Sequence, residues 1–464
     1  MCPPSTSRTC RDAPRQALTG EAWRVGTMAA DRSGDALSDA CGLDGASEPL
    51  LSGVLANGLG YVCASRPGTR TVYAELTVKA GLRHEPEGQN GVAHMVEHVV
   101  GRQTAKYDDP GFRRATDCIG AQLNAGVKWE WTSYHVTALA PYLEESLDLL
   151  REMVAYSRIL PADVETQRRI VLEEIAQTAD SPDMLLLQRV AAALYPDHPL
   201  GRPICGTPES VASLTLGQIE QFYRRHYLPN NAVVTLVGDC DSDRLCAAAE
   251  HAFAGWAAGP VPDIVGEVTE RMLLNQAVVV VAVPVVGEAD PDSPAIELLA
   301  WVLGGGPGSP LWETLRESRG LAYRLGCIHR AISDAGFVVA YCGVKRQNVD
   351  LAVAEMKEVL TSRPVELGTD RVRGAIAGLL TRFALETQTN AGYGAYLARH
   401  AASGDVSAGR RRWALLATAT PEALEAVRAR HLRPERCVVA KVLPLRGLSG
   451  LAGGLRMLWR VRHR

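Results

Sequence analysis

Along residues 71–81, "TVYAELTVKAG", apolar and polar residues alternate with the two-residue period of a strand that buries one face. "LANGLGYVCAS" ahead of it reads as an Asn-Gly turn leading into a short strand. "VAHMVEHVV" (92–100) changes to helical spacing, and "TSYHVTALA" returns to a strand. "YLEESLDLLREMVAYS" and "ADVETQRRIVLEEIAQTA" are two further helices, the second started by Pro161. "AVVTLVGD" is a buried strand, and the Gly/Pro signals around 258–270 mark a linker. Beyond it the order repeats: "QAVVVVAVPV" strand, "PAIELLAWVLGG" helix, "GFVVAYCGV" strand, "VDLAVAEMKEVL" helix. A recurring strand–helix order predicts an α+β chain of two duplicated domains, 49–257 and 271–445. Residues 1–48, rich in Ser, Pro, Gly, Asp and Arg without periodicity, read as a disordered extension, and 446–464 as a basic tail.

Composition changes this picture little. A chain of 464 residues, 47% hydrophobic and 22% charged, suits a globular protein of two or more domains. A net charge of −3 without a basic stripe argues against a nucleic-acid partner. No run of about 18 apolar residues predicts a membrane span. Eleven scattered cysteines without a C-x-x-C pair suit reduced thiols, and with no apolar core of a signal peptide at the N-terminus the expected location is cytoplasmic.

Chemistry enters at 92–100. On a helix His94 and His98, four apart, project from one face, and Glu97 sits at its edge. H-x-x-E-H is the reverse of the commoner H-E-x-x-H zinc helix. Two imidazoles so spaced can reach one Zn²⁺ at about 2.0–2.1 Å. A glutamate beside them, not coordinating, can take a proton from water that the metal acidifies. A catalytic zinc needs a third protein ligand, and "ETQRRIVLEEIAQ" offers Glu173 and Glu174. Helical spacing groups Gln167, Ile170, Val171 and Glu174 on one face with Glu173 turned aside, which favours Glu174. The glycines of "LGGGPGSP" lack the G-K-[ST] ending of a phosphate loop and read as a turn. His135 and His198 have no helical partner at ligand spacing and read as structural.

Collinear stretches over about 50–440 carry a resemblance: "GVAHMVEH", "GAQLNAGVKWEWTSYHVTAL", "LEEI", "HPLGRPICGTPESVASLT", "FYRRHYLPNNAVVTLVGD" and "LGGGPGSPLWETLRESRGLAYRL". The chain resembles the M16 peptidases, the pitrilysin and insulinase type, and especially the shorter M16B members similar to the mitochondrial processing peptidase. The resemblance implies two homologous α/β-sandwich domains forming half of a clamshell, with one zinc per chain in the first domain and none in the second. It implies His94, His98 and Glu174 as metal ligands, Glu97 as general base, and Gln167 where the family often has a supporting glutamate. It implies that Asn124 and Ala125 lie on the strand edge that receives an extended peptide, and that Arg316 and Tyr323 bind substrate backbone. Those last two, seven apart, share a helical face or bracket the end of a helix.

The function so implied is a zinc metalloendopeptidase acting on unfolded or short peptides, with a homodimer or a heterodimer with an M16-like subunit closing the chamber. Two alternatives share the sequence pattern: a non-catalytic scaffold subunit of the same family, and a dedicated protease that removes the leader of one precursor peptide.

Overall fold

Two β-sheets divide the chain in the computed structural model, which describes residues 50–179, 182–195, 198–261, 278–365, 367–406 and 408–442. The extension 1–48, linker residues 262–270 and the tail 446–464 lie outside the described residues. The first sheet holds β1 (Leu50–Val54), β2 (Gly60–Ser65), β3 (Thr71–Val78), β4 (Gln122–Val127), β5 (Thr132–Leu139) and β6 (Ala232–Gly238), in the order β1-β2-β6-β3-β5-β4. Its pairings are antiparallel except β2 with β6. The second holds β7 (Val278–Val286), β8 (Ala322–Ala331), β9 (Ala335–Val344) and β10 (Val438–Val442), in the order β10-β7-β9-β8, all antiparallel. The run β6-β3-β5-β4 of one sheet matches β10-β7-β9-β8 of the other strand for strand, so the duplicated order in the sequence is a duplicated topology.

The helices used below are α1 (Val92–Val99), α2 (Leu143–Ala155), α3 (Pro161–Ala179), α4 (Pro182–Leu194), α5 (Ser242–Phe253), α6 (Ser293–Gly304), α7 (Val349–Thr361) and α8 (Asn390–Ala402). On one face of the first sheet Val72, Ala74, Leu76, Tyr134 and Val136 meet Val92, Val96, Leu147, Leu150 and Ala249 in the largest core. Helix α6 follows β7 as α1 follows β3, and it carries no histidine.

Two expectations are corrected and one open alternative is narrowed. An additional strand, β1, precedes the Asn-Gly turn and makes a hairpin with β2, with Gly58 at φ 87°. Strand β3 is buried on both faces, not one: Tyr73, Glu75 and Thr77 are covered because α8 of the second half packs on this sheet. Leu397 and Ala401 of α8 meet Tyr73, Val62 and Val237 there, and Gly394 lies so near the Tyr73 ring that a Cβ would stand 2.2 Å from it. The exchange is reciprocal, since Val190 of α4 packs on Val278, Val280 and Val339 of the second sheet. Finally, Arg316 and Tyr323 do not share a helical face. Arg316 lies in a π-helical turn, Glu313–Ser318, and Tyr323 already belongs to β8, so they bracket the helix end.

The β8–β9 hairpin tip fastens the two halves. Arg83 Nη1 donates to Glu130 Oε1 at 2.9 Å and to Asp334 Oδ1 at 2.8 Å, Ser333 N donates to Glu130 Oε2 at 3.0 Å, and Tyr195 Oη donates to the Gly336 carbonyl at 2.8 Å.

Candidate metal centre

The site is built on α1, and α1 begins without a capping side chain of its own. Its N-cap is Gly91, at φ 93°, a left-handed conformation that glycine adopts without penalty. A Cβ there would stand 3.0 Å from the Cys205 carbonyl oxygen and 2.9 Å from a Val211 methyl. The free N–H groups at this end are met from outside the helix by Glu85. Its Oε1 accepts from Ala93 N at 3.0 Å, and its Oε2 accepts from Gly91 N at 3.0 Å and Asn90 Nδ2 at 2.8 Å. Burial pushes the Glu85 carboxyl up to about 7, against the pull of these donors and of Arg202.

Val92, Val96 and Val99 bury one side of α1 in the core, which leaves His94, Glu97 and His98 facing α3. Glu174 of α3 comes to meet them. His94 Nε2 lies 3.2 Å from His98 Nε2, and Glu174 Oε2 lies 3.5 Å from the first and 3.4 Å from the second. Among the described residues these three are the one group of His, Cys, Asp or Glu side chains close enough to hold a metal ion. Glu173, its neighbour, is exposed, as the helical spacing predicts.

The donor set fits zinc. Ligands at about 2.0–2.1 Å in a tetrahedron stand about 3.3–3.4 Å from one another, and the three edges observed are 3.2, 3.4 and 3.5 Å. The Glu174 side chain is 41% exposed, so the fourth side of that tetrahedron opens toward solvent. Burial, with His98 beside it, drives the His94 imidazole down to about 4, which keeps it neutral with a lone pair to offer.

Glu97 stands slightly back. Its Oε2 is 3.8 Å from His94 Nε2 and 3.7 Å from His98 Nε2, outside the three-ligand cluster. Burial raises its carboxyl above the usual range, reinforced by Glu174 and opposed by His98 and Arg102. A carboxyl held there is suited to taking up and releasing a proton.

Gln167, one helical face with Glu174, is buried, and its Oε1 lies 3.4 Å from His98 Nδ1. Arg102 Nη2 donates to the same oxygen at 3.4 Å, which turns the carbonyl end of the amide toward the imidazole. His98 thereby directs Nδ1–H at Gln167 and leaves Nε2 bare toward the cluster.

Asn124 and Ala125 lie on β4, the edge strand of the first sheet, against which α1 packs. Ala125 N donates to Asn124 Oδ1 at 2.9 Å. Arg316 and Tyr323 belong to the second half: the Arg316 guanidinium lies 4.8 Å from the Trp312 ring centre, and Tyr323 falls where the β8–β9 register shifts between Ala322 and Leu325. Both positions are irregular backbone, a π-turn and a bulge, of the kind that gathers at functional sites. His198 caps a short turn, its Nδ1 accepting from Leu200 N at 3.2 Å, and so takes the structural role expected of it. The glycines of 304–308 end α6 and form a loop.

Sequence reasoning missed Glu85, Arg102 and the Arg83–Glu130–Asp334 network. Each acts across a turn or between segments, where no period in the sequence signals it.

Residues 61–208 match the family model described as insulinase (peptidase family M16), and residues 213–363 match that of the peptidase M16 inactive domain. The second match begins ahead of β6, a strand that nonetheless lies in the first sheet. An uncharacterized zinc protease of Mycobacterium leprae is 32% identical over 320 residues, covering 66% of this chain and 72% of the relative. One of Streptomyces coelicolor is 31% identical over 310 residues, covering 64% and 68%. A solved protease from Helicobacter pylori shares the fold with a TM-score of 0.77 at 20% identity, over 85% of this chain and 99% of that one.

Proposed function

The chain belongs to the metallopeptidase family M16, and from that premise we propose that it is a zinc-dependent endopeptidase that hydrolyses unfolded or short peptides at the His94/His98/Glu174 centre. The observation that carries this reading is the triangle of ligand atoms with edges of 3.2, 3.4 and 3.5 Å beside Glu97, whose side chain is 15% exposed.

His94, His98 and Glu174 would hold one zinc ion, which would supply Lewis acidity toward water and the scissile carbonyl. Glu97 Oε2 takes the proton of the attacking water and passes it to the departing amide nitrogen. Gln167 and Arg102 hold His98 in its orientation and tautomer. The peptide adds to the free edge of β4, where main-chain hydrogen bonds need little sequence specificity, with Asn124 and Ala125 along its course. Arg316 and Tyr323 serve the peptide backbone from the second half, and Tyr323 is a candidate donor to the developing oxyanion.

The likeness to the M16B type and the mitochondrial processing peptidase belongs to this proposal, as does the division into a metal-bearing domain, 49–257, and a metal-free one, 271–445. A second copy, or an M16-like partner, completes a closed chamber that admits extended chains and rejects folded ones. Among the described residues the eight cysteines form no disulfide, which fits a reducing compartment, and the cytoplasm is the proposed location. Among the described residues no helix is long and apolar enough to cross a membrane.

Digestion of a mixture of unstructured peptides by the purified chain tests the proposal. Cleavage is expected to stop with a chelator and return with zinc. Cleavage indifferent to the chelator, or none from zinc-loaded protein in its native assembly, overturns it.

A further inference from the structure

Helix α1 is only eight residues long, too short to hold its own position in water, and its N-cap is a glycine with no side chain to offer. Yet it must keep two imidazoles within a few tenths of an ångström of a tetrahedral edge. What fixes it at its start is Glu85. This carboxylate is fully buried, lies six residues ahead of the N-cap, and spends both oxygens on the segment Asn90–Ala93. The bonds are 2.8 and 3.0 Å to Oε2 and 3.0 Å to Oε1, shorter than the 3.4 Å contacts of Gln167 with His98 and Arg102.

The loop that carries the carboxylate is itself held from a third segment. Arg202 is buried beside it and donates through Nη1 to the Glu85 carbonyl at 3.3 Å, while Asn90 Nδ2 reaches both Glu85 Oε2 and the Pro203 carbonyl at 3.0 Å. Negative charge at a helix start also complements the backbone dipoles of α1. Ala93, whose N–H it binds, immediately precedes His94.

We propose that Glu85 is a positioning residue of the metal centre: its carboxylate substitutes for the missing N-cap of α1 and sets where His94 and His98 stand, so that the site is assembled before the metal arrives. The proposal rests on the reading of these histidines as zinc ligands. A neutral amide cannot do the same work. In the Glu85→Gln variant an NH₂ group would face one of the N–H donors, so at least one bond is lost and the charge with it.

The test is zinc affinity of the full-length chain, by competition with a chromogenic chelator, together with steady-state peptide hydrolysis. Glu85→Gln is expected to weaken zinc by about 10-fold or more, the range typical of groups that orient metal ligands. It is expected to lower kcat with KM nearly unchanged. Leu379→Ala, a core truncation in the second half, serves as the control: it lowers the unfolding midpoint without moving zinc affinity. If Glu85→Gln does not fold, Asn90→Ala, which removes one of the three donors, shifts zinc affinity in the same direction by a smaller factor. A wild-type affinity in Glu85→Gln, or in Asn90→Ala where that variant is needed, overturns the proposal alone. A wild-type chain that takes up no zinc overturns the ligand reading and this one with it.

Discussion

His94 Nε2 and His98 Nε2 stand 3.2 Å apart on one face of α1, near the edge of a tetrahedron of zinc ligands, and Glu174 Oε2 closes the triangle at 3.5 and 3.4 Å. Three groups that would each prefer a hydrogen-bond donor point at one another instead. A cation between them resolves that conflict.

His94→Ala and Glu174→Gln should therefore each lose stoichiometric zinc when the purified protein is dialysed and its metal measured. Glu173→Gln, one residue from the proposed ligand but exposed, should keep it. Equal loss from both glutamate variants would mean that the helix face has been misassigned.

Gln167→Glu places a carboxylate between His98 Nδ1 and Arg102, both now 3.4 Å from the amide oxygen. A charged acceptor makes the imidazole a stronger donor to metal, and Arg102 is at hand to balance the buried charge. Zinc affinity should rise by roughly 10-fold, read by chelator competition. An unchanged affinity would show that the amide already does all that this position can do.

Between the halves, Glu75 gives a pH dependence with a definite sign. Tyr73 Oη donates to its Oε2 at 2.5 Å and Thr77 Oγ1 to its Oε1 at 2.9 Å, yet burial lifts its carboxyl from 4.5 to about 7. The folded chain thus holds this proton more tightly than the unfolded one. The stability it contributes is fully present below pH 4.5 and is lost as pH rises through about 7. The full effect is on the order of 3 kcal/mol. Glu75→Gln keeps both partners and cannot titrate. Relative to this variant, the wild type should lose stability between pH 5 and 8 in urea unfolding. The comparison with the variant matters because histidines such as half-buried His84 and buried His400, driven down to about 4, act in the opposite direction.

Arg83 is the hub of the contact between the hairpin tip and the first half. Arg83→Met leaves Glu130 and Asp334 without their cation and should cost about 2–4 kcal/mol in unfolding free energy. A loss within a few tenths would show that the halves are held by α4 and α8 alone.

Much of the candidate metal site was legible in the sequence because its arrangement follows helical periods. Spacing of four puts His94 and His98 on one face, and the same geometry on α3 selects Glu174 over Glu173. Strands β2, β3, β5, β6, β7 and β9 were legible for similar reasons, whereas β4 came only through the family resemblance and β1, β8 and β10 were not read. What stayed hidden depends on segments remote in the chain. Tyr73, Glu75 and Thr77 read as the wet face of β3, yet α8, some 320 residues further on, covers them. Glu85 gave no signal, because its partners lie beyond a left-handed glycine that breaks every period. Spacing left Arg316 and Tyr323 either on one helical face or bracketing a helix end, and it could not choose, because the backbone between them leaves the π-turn and enters a strand.

The central claim is that a carboxylate beside, but not in, the ligand triangle moves the proton during hydrolysis. The most direct measurement is the turnover of an unstructured fluorogenic peptide by zinc-loaded Glu97→Gln, with metal content determined on the same sample. The account predicts one zinc per chain and a rate at least about 100-fold below wild type, the span of general acid–base catalysis. Wild-type turnover by the zinc-loaded variant would contradict it.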